Sequence, residues 1–472
     1  MAECQAGRKI EAELIKITMI GAGSMVFSRN LTGDILSYPE FHNACICYMD
    51  IDPDRLAATE MWGRRVAAGV GAQPRFEATT DLEAALSGAD VVIIMFQVGG
   101  LGATLLDFEI PRQYGLNFTI ADTTGPGGLF RALRTYPALV RLCRGIRAHC
   151  PRALVINYSN PMSMNMAVLR EEGIATAVGL CHSVQGTADR LTWYLGVKPG
   201  ELEFECAGIN HMAGFLKLEH RGKNLYPQLF QCAENAEIVK HDRVRFDLLR
   251  RLGFFMTESS EHHAEYNPWY IPHGRESIGR LEVPIDEYLR RCDESEKEFA
   301  ALFAAAGDLT PIRHTPSPEY GARVIYGYFC GKPHIVYGNM PNRGAIGNLP
   351  PHAIVETPTC VGGGVLRLTA LGDLPLSILG YVQPHVLQHD LFMEAVKTGR
   401  RECIYQACMF DPLTAGVLTP DVIVTMCDEL IAAHGEEIPR LTRQFPHASM
   451  PASDPVPSAA ELLAARRGHK DG

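Results

Sequence analysis

No stretch of the 472-residue sequence approaches the roughly 20 consecutive apolar residues that a membrane-spanning helix needs, so a membrane-embedded chain is not expected. Residues Met1 to Arg8 lack the apolar core of a secretory signal, which points to a cytoplasmic protein. The 14 cysteines contain no Cys-x-x-Cys pair, which argues against a structural zinc cluster. They are scattered and frame no small disulfide domain, as in a reducing compartment. Basic residues are outnumbered, 44 against 54 acidic, and the net charge of -10 excludes the broad basic surface that nucleic acid requires. No internal repeat is present. What remains is an ordinary globular composition, 46% apolar and 21% charged. The length is enough for a large core and two packed domains.

The stretch that organises the rest is Val178-Gly-Leu-Cys-His-Ser-Val-Gln-Gly-Thr187. The apolar run from Ala175 to Leu180 reads as a buried strand, and an amphipathic helix follows from about Thr187. Cys181 and His182 then sit at the C-terminal edge of a parallel sheet, where open α/β sheets bind ligands. A lone cysteine is most often a buried, inert thiol. Here a second polar knot, Gly208-Ile-Asn-His-Met212, offers His211 as a partner on one metal ion.

Near the start, the strand Ile15–Ile20 runs into Gly21-Ala-Gly-Ser-Met-Val26 and a helical pattern to Leu36. Strand, glycine turn and helix in that order form a dinucleotide site, where a helix N-terminus receives the pyrophosphate. The third glycine is missing and Val26 stands in its place. A second strand, Ala44–Met49, ends at Asp50 and Asp52. An acid there binds ribose hydroxyls and favours NAD over NADP, and Asp50, the first residue past the strand, is the better candidate. The candidate NAD contacts are Gly21, Gly23, Ser24, Met25, Asp50 and Gln97, the last in a glycine-rich turn after the strand Asp90–Phe96.

Further strands are expected at Phe76–Thr80 and Ala153–Asn157, and a long helix with Arg131 and Arg134 at Phe130–His149. The segment between Leu101 and Gly128 reads as polar and turn-rich, and the cluster from Tyr337–Gly344 to Asn348-Leu-Pro350 as turn-like. Strand Ala153–Asn157 runs into Asn160-Pro161, an amide placed to read sugar hydroxyls or to form an Asx turn. Alternation returns at Phe215–Glu219. The dense polar segment Thr257–Trp269 reads as site-lining. These patterns predict a Rossmann-type doubly wound parallel sheet over residues 14–203, an α+β substrate and metal domain over 204–444, and an unordered tail over 445–472.

Seven motifs together resemble glycoside hydrolase family 4: Met19-Ile-Gly-Ala-Gly-Ser24, Ile120-Ala-Asp-Thr-Thr-Gly-Pro-Gly-Gly128, Arg131-Ala-Leu-Arg-Thr135, Asn157-Tyr-Ser-Asn-Pro-Met162, Gly179-Leu-Cys-His-Ser-Val-Gln-Gly-Thr187, Ala207-Gly-Ile-Asn-His-Met-Ala213 and Thr257-Glu-Ser-Ser-Glu-His262. Within that family the sequence most resembles the melibiose-type α-galactosidases. The resemblance implies a bound NAD, a divalent metal (usually manganese), and kinship with lactate and malate dehydrogenases. It also implies an exception to two-carboxylate glycosidase chemistry. NAD oxidises sugar carbon 3, a base removes the proton at carbon 2, the aglycone is eliminated, water adds, and NADH restores the alcohol.

By the same resemblance Cys181 and His211 are metal ligands, and Asn160, with Asp122 and Arg131, binds the sugar. His182 is the candidate proton donor, at a position where phosphoglycoside-cleaving members carry aspartate; sugar contact is its alternative role. Tyr266 is preferred as the base over Tyr270 and Glu265, on the expectation that a nearby cation lowers its pKa. No obvious carboxylate pair is expected. The implied partners are a small α-galactoside and further copies of the chain, as a homodimer or homotetramer. Rival readings are an α-glucosidase or α-galacturonidase of the same family, an NAD-dependent 2-hydroxy-acid dehydrogenase, and a non-catalytic NAD-binding sensor.

Overall fold

In the computed structural model, which describes residues 14–305, 307–308, 310–445 and 457–468, the chain folds around one nine-stranded sheet. Six parallel strands come first: β1 (Lys16–Ile20), β2 (Cys45–Met49), β3 (Arg75–Thr79), β4 (Val91–Ile94), β5 (Leu154–Asn157) and β6 (Ala177–Leu180). Their spatial order is 3-2-1-4-5-6, the dinucleotide-binding arrangement of the doubly wound fold. All residues of β1, β2, β4, β5 and β6 are buried, as continuous apolar strands covered on both faces must be. Ile17, Met19, Val91, Ile93 and Ile156 join one apolar core, and Ile20, Val92, Ile94 and Val155 join the other.

The helices between them are α1 (Met25–Leu36), α2 (Pro53–Val70), α3 (Leu82–Leu86), α4 (Gly100–Gln113), α5 (Gly125–His149) and α6 (Met162–Glu171), with α7 (Ser183–Leu195) after β6. Two of them correct the expected turn-rich stretch between Leu101 and Gly128. In α4, Leu105, Leu106, Phe108 and Ile110 are all buried, each contributing about 1.5–3 kcal/mol. That outweighs about 1 kcal/mol for each of its two glycines and about 3 for Pro111. The long helix α5 opens at Gly125, so its glycines form the first turn of a helix.

Beyond α7 an antiparallel trio forms from β7 (Glu203–Ala207), β8 (Gly214–His220) and β9 (Lys223–Asn224). The chain then returns to the large sheet with β10 (His334–Pro341), β11 (Ile354–Gly362) and β12 (Val365–Leu368), all antiparallel. The turn-like reading of Tyr337–Pro350 is therefore corrected in its first part: Tyr337–Pro341 lies in β10, whereas residues 342–350 do turn. Glycine, asparagine and proline there suggested a turn, but pairing on both sides, to β6 and to β11, overrides propensity. Asn339 donates across to the Gly179 carbonyl and to Glu356. Both apolar cores draw residues from either side of residue 204. Of the expected tail, residues 446–456 and 469–472 lie outside the described residues, as do residues 1–13. Residues Ala459–Gly468 are instead a helix, with Arg466 paired to Asp293 at 2.9 Å. No helix among the described residues is long and apolar enough to cross a membrane.

Candidate active site

Parallel strands deliver their C-terminal ends to one edge, and the sequence motifs follow those ends. Gly21 follows β1, Asp50 follows β2, Gln97 follows β4, Asn160 follows β5 and Cys181 follows β6. Over this edge hang two segments from the second half of the chain. His211 lies between β7 and β8. Glu258 precedes the short helix Ser260–Glu265, which carries His262, and Tyr266 follows it.

Cys181 and His211 meet, with Sγ 3.4 Å from Nε2. Glu258 completes the group: its Oε2 is 3.7 Å from the same Nε2, and one ligand atom from each of the three lies within 4.8 Å of the others. Thiolate, imidazole and carboxylate together suit a divalent cation with positions left open. Burial pushes the Cys181 thiol up to about 12; His182 opposes this, and Glu258 adds to it. Burial also acts to raise the Glu258 carboxyl, but His262, His211 and His182 hold it down at about 2.

The backbone is strained here. His211 (φ 66°), Glu258 (φ 69°) and Ala121 (φ 54°) are all left-handed without being glycine, at about 1–3 kcal/mol each where tertiary structure enforces it. His211 Nδ1 faces the other way, 3.0 Å from Thr123 Oγ1 and 3.2 Å from the Tyr266 hydroxyl. Thr123 in turn donates to Asp122 Oδ1 at 2.7 Å. A carboxylate behind a ligand histidine is the usual way to fix its tautomer.

Asn160 and Asp122 are brought together, the amide donating to Oδ2 at 3.0 Å. Asp122 Oδ1 lies 3.9 Å from His262 Nε2, and Glu258 Oε1 lies 3.3 Å from His262 Nδ1. Two acids thus flank one imidazole. Sequence spacing hid them, since Asp122 and Glu258 lie far apart in the chain. Asp122 also shares with His211 and His262 a second group whose ligand atoms lie within 4.8 Å of one another.

Tyr266 is fully buried, and burial drives its hydroxyl well above the usual range. The lowered pKa expected for it is not found among the protein groups alone. Its rivals are occupied elsewhere. Tyr270 donates to Asp247 at 3.1 Å. The Glu265 carboxylate accepts the backbone N–H groups of Thr119, Ile120 and Ala121, each at 2.9 Å, so it clamps the loop that carries Asp122. His182 stands at the rim with its side chain 60% exposed, Nδ1 3.4 Å from Glu319 Oε1. That contact, then Cys181, raises the imidazole to about 9.

At the dinucleotide turn, Gly21 (φ 89°) leaves no room for a Cβ, which would lie 2.6 Å from Phe96. The Gly23 N–H donates to Asp50 Oδ2 at 2.7 Å, which holds the acid against the turn. Asp52 instead caps α2, accepting from Asp54 and Arg55. Ser24 is exposed at the α1 N-terminus with no side-chain cap bond. Met25 is buried in an apolar cluster with Ala58 and Trp62. Arg131 is buried; its guanidinium donates to the Tyr288 hydroxyl at 3.0 Å and to Gln97 at 3.3 Å. Sequence reading placed Glu258 and His262 in the site-lining segment Thr257–Trp269 and Thr123 in the motif Ile120–Gly128 without giving them individual roles, and Glu319 carried no signal.

Residues 16–197 match the family 4 glycosyl hydrolases and residues 206–414 match that family's C-terminal domain. An alpha-galactosidase of Bacillus subtilis is 38% identical over 428 residues, spanning 90% of this chain and 99% of that protein. An alpha-galactosidase of Rhizobium meliloti is 33% identical over 447 residues, spanning 92% and 90%. A 6-phospho-alpha-glucosidase from gut microorganisms, solved with NAD and Mn2+, superposes with a TM-score of 0.76 over 91% of this chain and 100% of that one. At 21% identity that likeness is one of fold.

Proposed function

Because the chain belongs to family 4 of the glycosyl hydrolases, we propose that it hydrolyses α-galactosides of the melibiose type, with NAD and a divalent metal, manganese first, as cofactors. The observation that carries this is one sheet edge holding both a thiolate–imidazole–carboxylate donor set and a dinucleotide turn. The residues fit both groups. Cys181, His211 and Glu258 would hold the metal, and Gly21, Gly23, Ser24 and Asp50 the dinucleotide. The chemistry these groups supply when bound is reversible hydride transfer at sugar carbon 3 and Lewis acidity toward the neighbouring oxygens.

The chain's own residues do the rest. With Nε2 committed to a ligand role, His211 carries its proton on Nδ1 and donates toward Thr123 or Tyr266. A donor aimed at the Tyr266 oxygen favours its ionised form, in which it takes the proton from sugar carbon 2. Asn160, held by Asp122, reads a sugar hydroxyl. His182, exposed at the rim, protonates the departing oxygen. Free thiols at the described cysteines are in keeping with a cytoplasmic enzyme. Exposed Leu376 and Phe410 offer apolar surface for a homodimer or homotetramer, which light scattering would reveal.

A second reading follows from Asp122 and Glu258 flanking His262: ordinary two-carboxylate hydrolysis, in which the bond from carbon 2 to its hydrogen stays intact. Turnover in heavy water separates the two. Elimination places deuterium at carbon 2 of the released galactose, and enzyme stripped of NAD is inactive. Galactose without deuterium, or full activity without NAD, would overturn the proposal. Nitrophenyl α-galactoside, α-glucoside and α-galacturonide compared side by side decide the sugar.

A further inference from the structure

The chain between the second half's helices and β10 runs as a strap across the dinucleotide-binding half. Its course is pinned at α1, where Asp34 accepts from His314 Nε2 at 2.8 Å and from the Ser317 N–H at 2.9 Å. The approach is so close that a Cβ on Gly33 would lie 2.2 Å from the His314 ring. Past this clasp the Glu319 N–H donates to Ser317 Oγ at 3.2 Å, Gln185 on α7 donates to the Pro318 carbonyl at 2.8 Å, and the Gly321 N–H donates to the Tyr158 hydroxyl at 2.8 Å. Backbone on both sides of Glu319 is therefore fixed relative to the end of β5 and to α7.

Glu319 is only 9% exposed, and its sole ion-pair partner among the described residues is His182. Its second oxygen, Oε2, is buried without a hydrogen-bond partner. A buried carboxylate is paired, hydrogen-bonded or neutralised, and the charged group that faces Glu319 is the His182 imidazole.

We propose that Glu319 is the positioning residue for His182, accepting the Nδ1–H so that Nε2 is turned to the glycosidic oxygen. This rests on the assignment of His182 as proton donor above. The step is balanced as follows. The bond from carbon 1 to the glycosidic oxygen breaks and its electron pair leaves with that oxygen. The oxygen takes the Nε2 proton, and the imidazole is left neutral with Nδ1–H still donated to Glu319. When water adds at carbon 1, its hydroxide stays on the sugar and its proton returns to Nε2.

The test uses holoenzyme with NAD and manganese and two substrates that differ in how much their leaving group needs a proton. Melibiose must release a sugar alkoxide, whereas 4-nitrophenyl α-galactoside releases a stable phenolate. General acid catalysis is worth about 10²–10⁴-fold, so Glu319→Gln is expected to lower kcat/KM for melibiose at least about tenfold more than for the nitrophenyl substrate. His182→Asn is expected to shift the ratio in the same direction and further. Should Glu319→Gln fail to fold, Glu319→Asp, which draws the charge back by one methylene, is expected to shift the ratio part-way. Equal losses on both substrates for the Glu319 variants, with His182→Asn still discriminating, would overturn the proposal and leave His182 as donor. Equal losses for His182→Asn would remove the donor assignment itself.

Discussion

Replacing Glu265 by Gln tests whether this acid acts as a clamp or as a base. Its two oxygens receive the N–H groups of Thr119, Ile120 and Ala121, each at 2.9 Å, and the Thr119 hydroxyl at 3.0 Å. Three backbone N–H groups donate, which favours the ionised form against the burial that raises the carboxyl to about 7, while the Thr119 hydroxyl, with one proton, shares it with the Glu261 carbonyl 2.6 Å away. A glutamine offers one acceptor oxygen, and its NH2 must face a donor. With the amide oxygen at the more heavily used site, Ala121 keeps only its longer 3.2 Å bond and its N–H faces the new NH2 in place of the 2.9 Å acceptor, which costs about 1–3 kcal/mol. Thr119 and Ile120 keep bonds that weaken by about 1 kcal/mol each on losing the charge. The Thr119 hydroxyl loses least, because the Glu261 carbonyl lies 2.6 Å away. The expected loss is about 3–5 kcal/mol. For 472 residues unfolding as a unit, the unfolding entropy is about 1 kcal/mol per degree. Calorimetry should therefore show Tm lower by about 3–5 °C. Activity should fall with it, because the clamped loop carries Asp122 and the Thr123 that holds His211. Glu261→Gln is the control, since its carboxylate is 28% exposed and lies 4.0 Å from Arg291, a contact worth at most about 1 kcal/mol. A Glu265→Gln enzyme that melts like wild type refutes the clamp, and lost activity with unchanged Tm would mark Glu265 as a chemical group instead.

Cys181→Ser and Glu258→Gln should each lower the manganese retained after dialysis, by elemental analysis, and chelator should silence wild type until manganese is restored. Asp107→Asn should destabilise by about 3–5 kcal/mol, because Asp107 accepts both arms of the fully buried Arg134, at 3.0 and 2.7 Å, and also His434 at 3.0 Å. Thermal melts of Asp107→Leu with Arg134→Met should recover most of that loss, since the pair is then removed together. His385 and His389 are buried and neutral, held by burial at about 4 and about 3. Their folded values lie below the unfolded 6.5, so their contribution is complete above that pH and is lost as pH falls toward 3. Each should cost about 2–3 kcal/mol between pH 6.5 and 4.5, and His389→Gln should flatten that limb in urea titrations.

Much of the fold was legible because β1, β2, β4, β5 and β6 are buried on both faces and so read as unbroken apolar runs. The Gly21 turn and the Cys181–His182 step were legible because their meaning is local: a residue type at a strand end. β10 was not, because Gly338, Asn339 and Pro341 carry turn preferences that only pairing to β6 and β11 overrules. α4 was hidden in the same way, its glycines and Pro111 being outweighed by burial against neighbours the sequence does not reveal. Glu265 was legible as an acid near the site but not as a clamp, since its partners at Thr119 to Ala121 lie 144–146 residues away.

By itself the sequence determined which residue types stand at the C-terminal ends of five parallel strands, and with them a dinucleotide turn and the Cys181–His182 step. A parallel sheet brings those ends to one edge by its topology, so no long-range information was needed. Tertiary structure alone decided that Glu258 joins Cys181 and His211, that Asp122 and Glu258 flank His262, and that Glu319 reaches His182 from a strap anchored on α1. Those contacts join distant parts of the chain through left-handed residues and buried loops, and their geometry is set by packing energies summed over both cores, which no local pattern encodes.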